Sequence, residues 1–366
     1  MAKKKNTAKP DKGKSIKKGG SGFVKKVWYA FLLILVMGAA TSIYIAYNNI
    51  YVKNIVVKED GKTYFYIKTG SSFLDVIKSL KEQHIVRNES VFEWLAKQKN
   101  YVNKVKPGRY TLTSNMNNND LINLLRSGEQ EAVKLSFNNV RNKTEFIRKI
   151  CAQLETDSTQ LYEILTNDNA LDSMGYDSEN ILAMFIPNTY DFYWNTTAKK
   201  FMNEMYVEHK KFWNKERLAQ MKKLNITKVQ TSIVASIVEK ESNYKPERPT
   251  IASVYLNRLR KGMKLQADPT VIYAMGDFKI QRLLSKHLDF DNPYNTYRYA
   301  GLPPGPICLP SINALDAVLN ATATNYIYFC AKEDFSGSHN FASTLDAHNR
   351  NAAKFQRALN KRKIFS

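Results

Sequence analysis

The chain has 366 residues, of which 43% are hydrophobic and 12% aromatic, and a formal net charge of +22. That length allows two or three domains, and the apolar content excludes a wholly disordered polymer. The charge raises a nucleic-acid reading, but no zinc finger, recognition-helix signature or aromatic RNA-binding motif accompanies it. No nucleic-acid partner is therefore expected, and a basic surface equally suits anionic cell-envelope polymers and lipid headgroups.

The charge is uneven. Residues 1–26 contain ten lysines and one acid, Asp11. So basic and apolar-poor a stretch predicts a disordered tail, retained in the cytoplasm by the positive-inside rule. Val27 to Tyr47, VWYAFLLILVMGAATSIYIAY, carries no charge and is long enough to cross a bilayer as a helix. Trp28 and Tyr29 near one end, and Tyr44 and Tyr47 near the other, fit interfacial belts. The run is too long for a cleaved signal sequence and lacks a small-x-small exit. A single-pass membrane anchor is expected, with everything after Asn48 periplasmic or extracellular.

Residues 48–130 read as a small α/β unit. TYFYIKTG (Thr63–Gly70) is a strand ending in a turn, SSFLDVIKSLKEQHI a capped helix, VFEWLAKQ a second helix, KPGRYTL (Lys106–Leu112) a turn into a strand, and NNNDLINLLRSG a helix stopped by Gly128. The strand–helix–helix–strand order resembles a LysM-type module, the small fold that binds N-acetylated glycans. A spacer with the same topology is the alternative.

Residues 131–228 open with a strand, EAVKLSF, and then turn largely helical: TEFIRKICAQL, STQLYEILT and the stretch Ala198–Leu224. Between them MFIPNTYDFYWNTT (Met184–Thr197) reads as an aromatic loop or short strand, able to line a sugar groove but more often core. Residues 229–366 form the last unit. Pro249 starts a helix, IASVYLNRLRKG, ended by Gly262, and Asp268–Pro269 reads as an N-cap followed by the first position of TVIYAMG. NPYNTYRYAGLPPGPICLPS (Asn292–Ser311) is a Pro/Gly-rich loop, Ser311 caps INALDAVLNA, TNYIYFCA is a strand, and a turn, a short extended piece and a helix close the chain. Cys151, Cys308 and Cys330 make neither a disulfide framework nor a zinc signature. A Cys308–Cys330 bridge is conceivable, but three buried small apolar side chains are expected. The five histidines show no ligand spacing, so neither metal nor cofactor is expected.

The segment Ser232–Ser242, SIVASIVEKES, carries the chemistry. At helical spacing Val234, Ile237 and Val238 share one face, and Glu241 follows them by seven, four and three residues. Glu239 points roughly 200° round the helix, toward water. Pro246 should stop the helix soon after Glu241, leaving that carboxyl in the last turn. Partial burial and the negative end of the helix dipole both raise its pKa, which favours a protonated general acid near neutral pH. The bland reading is a glutamate at the edge of the core with a basic partner.

ASIVEKES, ASVYLNRLRKGMKLQADPTVIYAMG, NPYNTYRYAGLPPGPI with PSINAL, and HNFASTLDAHN, in this order, resemble the endolytic murein transglycosylase (YceG-like) family. The likeness runs from the apolar segment to the C-terminus. It implies an α+β protein with an N-terminal transmembrane helix, a LysM-like module over 48–130 and a mixed α+β catalytic domain, its helical part at 131–228 and its YceG-like core at 229–366. It also implies a peptidoglycan lyase. Such enzymes cleave the β-1,4 bond between N-acetylmuramic acid and N-acetylglucosamine, leave a 1,6-anhydro-muramyl end and terminate nascent strands beside the peptidoglycan synthases.

The family's essential glutamate matches Glu241. One carboxyl suffices, because the muramyl C6 hydroxyl replaces water as nucleophile; Glu241 serves as acid and then as base. Glu247 and Asp268 are given capping or surface roles. Asn257, Gln266, Asn295, Thr296 and Tyr297 are the candidate glycan contacts, with backbone capping the alternative for Asn257 and Asn295. His339 and His348 are expected to make structural hydrogen bonds. Two other functions remain open: a muramidase that uses water, and a non-catalytic peptidoglycan-binding scaffold.

Overall fold

The structure is a computed structural model that describes Met1 and residues 21–57, 62–280 and 283–362. Most of the expected disordered tail lies outside the described residues. Helix α1 (Ser21–Tyr51) is longer than the expected span, running on through Lys25 and Lys26 at one end and to Tyr51 at the other. No proline interrupts this stretch, and lysine is a good helix former. Residues 22–47 are exposed, so this apolar surface is covered by none of the described residues. Within the helix, the hydroxyls of Thr41 and Ser42 donate back to the carbonyls of Met37 and Gly38, at 2.8 and 2.9 Å, which leaves neither polar group unmatched in an apolar surrounding.

The chain divides into two compact units, Met1–Lys106 with Tyr110–Glu129, and Pro107–Arg109 with Gln130–Ser366. The first contains β1 (Lys62–Ile67), α2 (Phe73–Glu82), α3 (Glu89–Gln98), β2 (Gly108–Thr113) and α4 (Asn118–Ser127), with β1 and β2 paired in one sheet. The strand–helix–helix–strand order is the one the sequence implied. Ser72 with Asp75, and Asn117 with Asp120, close reciprocal caps on α2 and α4, and Gly128 ends α4 at φ 75°. Phe65, Phe73, Leu80, Phe92, Tyr110, Leu112 and Leu121 are among the side chains of its core.

The second unit opens with β3 (Val133–Ser136), α5 (Lys143–Cys151), α6 (Ser158–Thr166), α7 (Asp168–Asp172), a 3-10 turn at Ile181–Met184, β4 (Thr189–Phe192) and α8 (Ala198–Phe212). β3 and β4 pair antiparallel, Leu135 opposite Tyr190. The aromatic segment Met184–Thr197 mostly supplies core. Phe185 and Phe192 are buried, with Phe185 packed 4.3 Å from Phe146 and Tyr190 stacked on Phe137.

Next come α9 (Lys215–Leu224), α10 (Lys228–Glu241), a 3-10 turn at Lys245–Glu247, α11 (Arg248–Arg260), α12 (Asp268–Met275), α13 (Ser285–Leu288), α14 (Ile312–Leu319), β5 (Tyr328–Ala331), β6 (His339–Ala342) and α15 (Leu345–Lys361). Helix α10 is buried without a break from Thr231 to Val238, against α11, α12 and α14. Ile233, Val234, Ile237 and Val238 each contribute about 1.5–3 kcal/mol by leaving water. The Pro/Gly loop before α14 has no regular structure, yet Ile307 to Leu309 are buried in it. Gly305 is required there, since a Cβ would stand 2.1 Å from the Glu179 carbonyl oxygen. All three cysteines are free, and only Cys308 is fully buried.

Candidate functional site

Glu241 is the last residue of α10, and Ser242 leaves the helix in an extended conformation. Glu241 is partly buried. Its Oε1 accepts a 2.7 Å hydrogen bond from the hydroxyl of Tyr255, a fully enclosed side chain on α11. Among the described residues Oε2 receives no hydrogen bond. Burial pushes the Glu241 pKa up to about 7; the charge of Asp268 adds to that rise, while the Tyr255 hydrogen bond and the Arg258 guanidinium oppose it. The group is therefore divided between acid and base near neutral pH, as proton transfer in both directions requires.

Glu239 does not face water. It pairs with Arg248, whose Nη1 and Nη2 donate to Oε2 and Oε1 at 3.0 and 3.2 Å, and it takes a 2.5 Å hydrogen bond from Ser311 Oγ. Arg248 is buried and also donates to the Ser242 carbonyl and Asn313 Oδ1. The helical period reads one helix by itself, whereas α14 and Ser311 cover the face that the period leaves to solvent. The two glutamates thus divide their tasks: Glu239 ties α10 to α11 and α14, and Glu241 keeps one oxygen that none of the described residues bonds.

Asp268 is not the N-cap. Ala267 occupies that position, and Asp268 is the first residue of α12 with Pro269 behind it. One residue of register frees the Asp268 carboxylate from the backbone, and Oδ1 instead accepts a 2.5 Å hydrogen bond from the Tyr297 hydroxyl. Glu247, expected to cap or lie at the surface, stands at the N-cap position of α11 but makes no side-chain cap bond there. Both its oxygens take the His339 peptide N–H, at 2.9 and 3.1 Å, and Oε2 meets His339 Nδ1 at 3.0 Å, which fixes β6 beside α11. His348 makes a ring stack on Tyr328 at 5.2 Å, and among the described residues its Nδ1 has no hydrogen-bond partner.

The remaining candidates separate by burial. Asn257 Nδ2 donates to the carbonyls of Thr324 and Tyr326 at 2.8 and 2.9 Å, and its Oδ1 accepts from Arg260. Asn295 is wholly enclosed, donating to the carbonyls of Leu288 and Phe290 and accepting from the Tyr297 N–H. Backbone groups account for both donor bonds of Asn257 and for every bond of Asn295, and the Asn257 oxygen is taken by the Arg260 side chain. Thr296 is buried as well, with Oγ1 accepting from Ala267 N at 3.0 Å. Gln266 is exposed, adopts φ 52° and accepts from Arg258. Tyr297 is half-buried, with its hydroxyl on Asp268. Glu241, Tyr255, Arg258, Asp268 and Tyr297 interact as one electrostatic cluster. Tyr255, Arg258 and Asp268 were missed as site residues because their roles depend on contacts between separate elements.

The chain matches the YceG-like family over residues 65–354. A protein of Bacillus subtilis named endolytic murein transglycosylase is 30% identical over 326 residues, covering 84% of this chain and 89% of that protein. One of the same name from Streptococcus pneumoniae is 28% identical, covering 90% of this chain and 65% of that protein. A crystal structure of a YceG-like protein from Listeria monocytogenes superposes with a TM-score of 0.50 at 29% identity, over 79% of this chain and 98% of that one.

Proposed function

Because this chain belongs to the YceG-like family, we propose that it is an endolytic murein transglycosylase, a lyase acting on peptidoglycan with Glu241 as its proton-transfer group. The observation that carries the reading is Glu241 itself, partly buried at the end of α10, with a pKa near 7, one carboxyl oxygen held by Tyr255 and the other bonded by none of the described residues. The acid form protonates the glycosidic oxygen between N-acetylmuramic acid and N-acetylglucosamine as the bond to C1 breaks. The muramyl C6 hydroxyl attacks C1, and its proton passes to the Glu241 carboxylate. The product is a 1,6-anhydro-muramyl end, and the enzyme returns to its starting protonation state.

Gln266, exposed at φ 52°, and Tyr297, on the Asp268 carboxylate, are the polar candidates best able to meet the glycan. The exposed apolar helix α1 supports a single-pass anchor in the cell membrane, with the lysine-rich N-terminus cytoplasmic and both units outside. The strand–helix–helix–strand order of the first unit supports a LysM-like glycan-binding module. An enzyme anchored in this way, cutting within strands, suits the termination of nascent glycan strands beside the peptidoglycan synthases.

One observation favours a second reading. Asp268 supplies a second carboxylate in the cluster, as a water-using muramidase requires. Digestion of purified sacculi by the full chain, wild type against Glu241→Gln, with mass spectrometry of the glycan ends, separates the possibilities. Anhydro ends from the wild type alone are expected. Reducing muramic ends from the wild type indicate the muramidase, and equal yields from both proteins remove Glu241 from the chemistry.

A further inference from the structure

Three segments of the second unit are fastened together around Glu241. From α11, Arg258 donates to the carbonyls of Ile327 and Leu265, each at 2.7 Å, and so pins the turn before α12. In that turn Gln266 N donates to the Thr296 carbonyl at 3.1 Å and Ala267 N to Thr296 Oγ1 at 3.0 Å. Thr270 Oγ1 donates to the Ala267 carbonyl at 2.6 Å and accepts from Thr296 Oγ1 at 2.9 Å. Thr270 and Thr296 are buried, so this staple is rigid and fully hydrogen-bonded. The residues beside it, Asp268 and Tyr297, are joined to each other at 2.5 Å.

The staple has a consequence for charge. The groups acting on Glu241 are Tyr255 and Arg258 from α11, Asp268 from α12 and Tyr297 from the Pro/Gly loop. Arg258 is the only cation among them and favours the carboxylate; Asp268 is the only other carboxyl and favours the acid. An exposed aspartate needs no buried staple to hold it unless its position matters. We propose that Asp268 is a positioning carboxylate for the reaction at Glu241: fixed by Tyr297 and the threonine staple, it offsets Arg258 and keeps Glu241 in its acid form until the glycosidic oxygen takes the proton. Asp268 itself exchanges no proton and attacks no bond. The inference rests on the transglycosylase reading and gives the second carboxylate a task other than activating water.

The test is the pH dependence of kcat/KM on glycan strands for the full-length wild type, Asp268→Asn, Asp268→Glu and Glu241→Gln. In Asp268→Asn the fall in rate on the alkaline side should move about one pH unit lower, a roughly tenfold loss above pH 8 with little change near pH 5.5. Asp268→Glu should restore much of the wild-type profile. Carbon-13 NMR titration of the Glu241 carboxyl in Asp268→Ser, whose serine suits a helix start, should show the same downward movement without reference to turnover. A loss that is parallel at all pH values, or an unmoved Glu241 titration, overturns the proposal and leaves the role of Glu241 standing. An active Glu241→Gln overturns both.

Discussion

The Tyr255 hydroxyl donates to Glu241 Oε1 across 2.7 Å, from one buried helix to the end of another. This bond fixes which carboxyl oxygen stays available and, by favouring the carboxylate, limits how far burial can raise the Glu241 pKa. Tyr255→Phe should therefore move the alkaline limb of the rate profile upward, the direction opposite to Asp268→Asn. A modest fall in kcat should accompany it as the carboxyl loses its orientation. Rate–pH profiles of the two variants, measured side by side, check the pair.

Glu241→Gln should abolish strand cleavage, a loss of about 10²–10⁴, while stabilising the fold at alkaline pH. The Glu241 pKa is raised from the ordinary 4.5 to about 7 in the folded chain. The folded state therefore holds its proton more tightly than the unfolded one does, and this carboxyl costs stability progressively as pH rises from about 4.5 to 7. The cost is at most about 3 kcal/mol above that window. Thermal denaturation of both proteins at pH 4 and pH 8 should show the variant gaining on the wild type only at the higher pH.

Glu239→Gln should act on stability and leave the shape of the rate profile alone. It strands the buried Arg248 guanidinium without its counter-charge, a change that typically costs about 3–5 kcal/mol. A large fall in Tm, with an unmoved alkaline limb in the protein that remains folded, is the expected outcome.

Asn257→Ala should behave as a structural substitution. It removes the donor to two carbonyls that precede β5, at about 1–3 kcal/mol for each buried acceptor left unpaired. Tm should fall while KM for glycan strands stays near the wild-type value. A raised KM with unchanged Tm would return Asn257 to the glycan-binding surface.

The sequence made Glu241 legible because a helical period projects a residue onto a face, and three apolar neighbours defined that face. The same period misassigned Glu239, since it carries no information about α14 lying across the opposite side. Caps were readable wherever one residue bonds its own near neighbours, as Ser72, Gly128 and Ser311 do. Asp268 failed that test by a single position: Asp-Pro can begin a helix as cap and first residue or as first and second residues, and only the Thr296 staple selects the latter. Tyr255 and Arg258 stand fourteen and seventeen residues beyond Glu241 on a separate helix, where no local rule reaches. The amides of Asn257 and Asn295 have the chemistry of sugar ligands, but that chemistry is identical to what carbonyl-lined loops demand.

Helix α10 is enclosed along its middle, from Thr231 to Val238, and opens in its last turn. Glu241 therefore inherits its coordinates from the packing of Val234, Ile237 and Val238 rather than from the loops around it. Wear in that packing should reach the reaction before it reaches the fold: a methyl group lost well inside the helix shifts the carboxyl relative to Tyr255 while the chain stays intact.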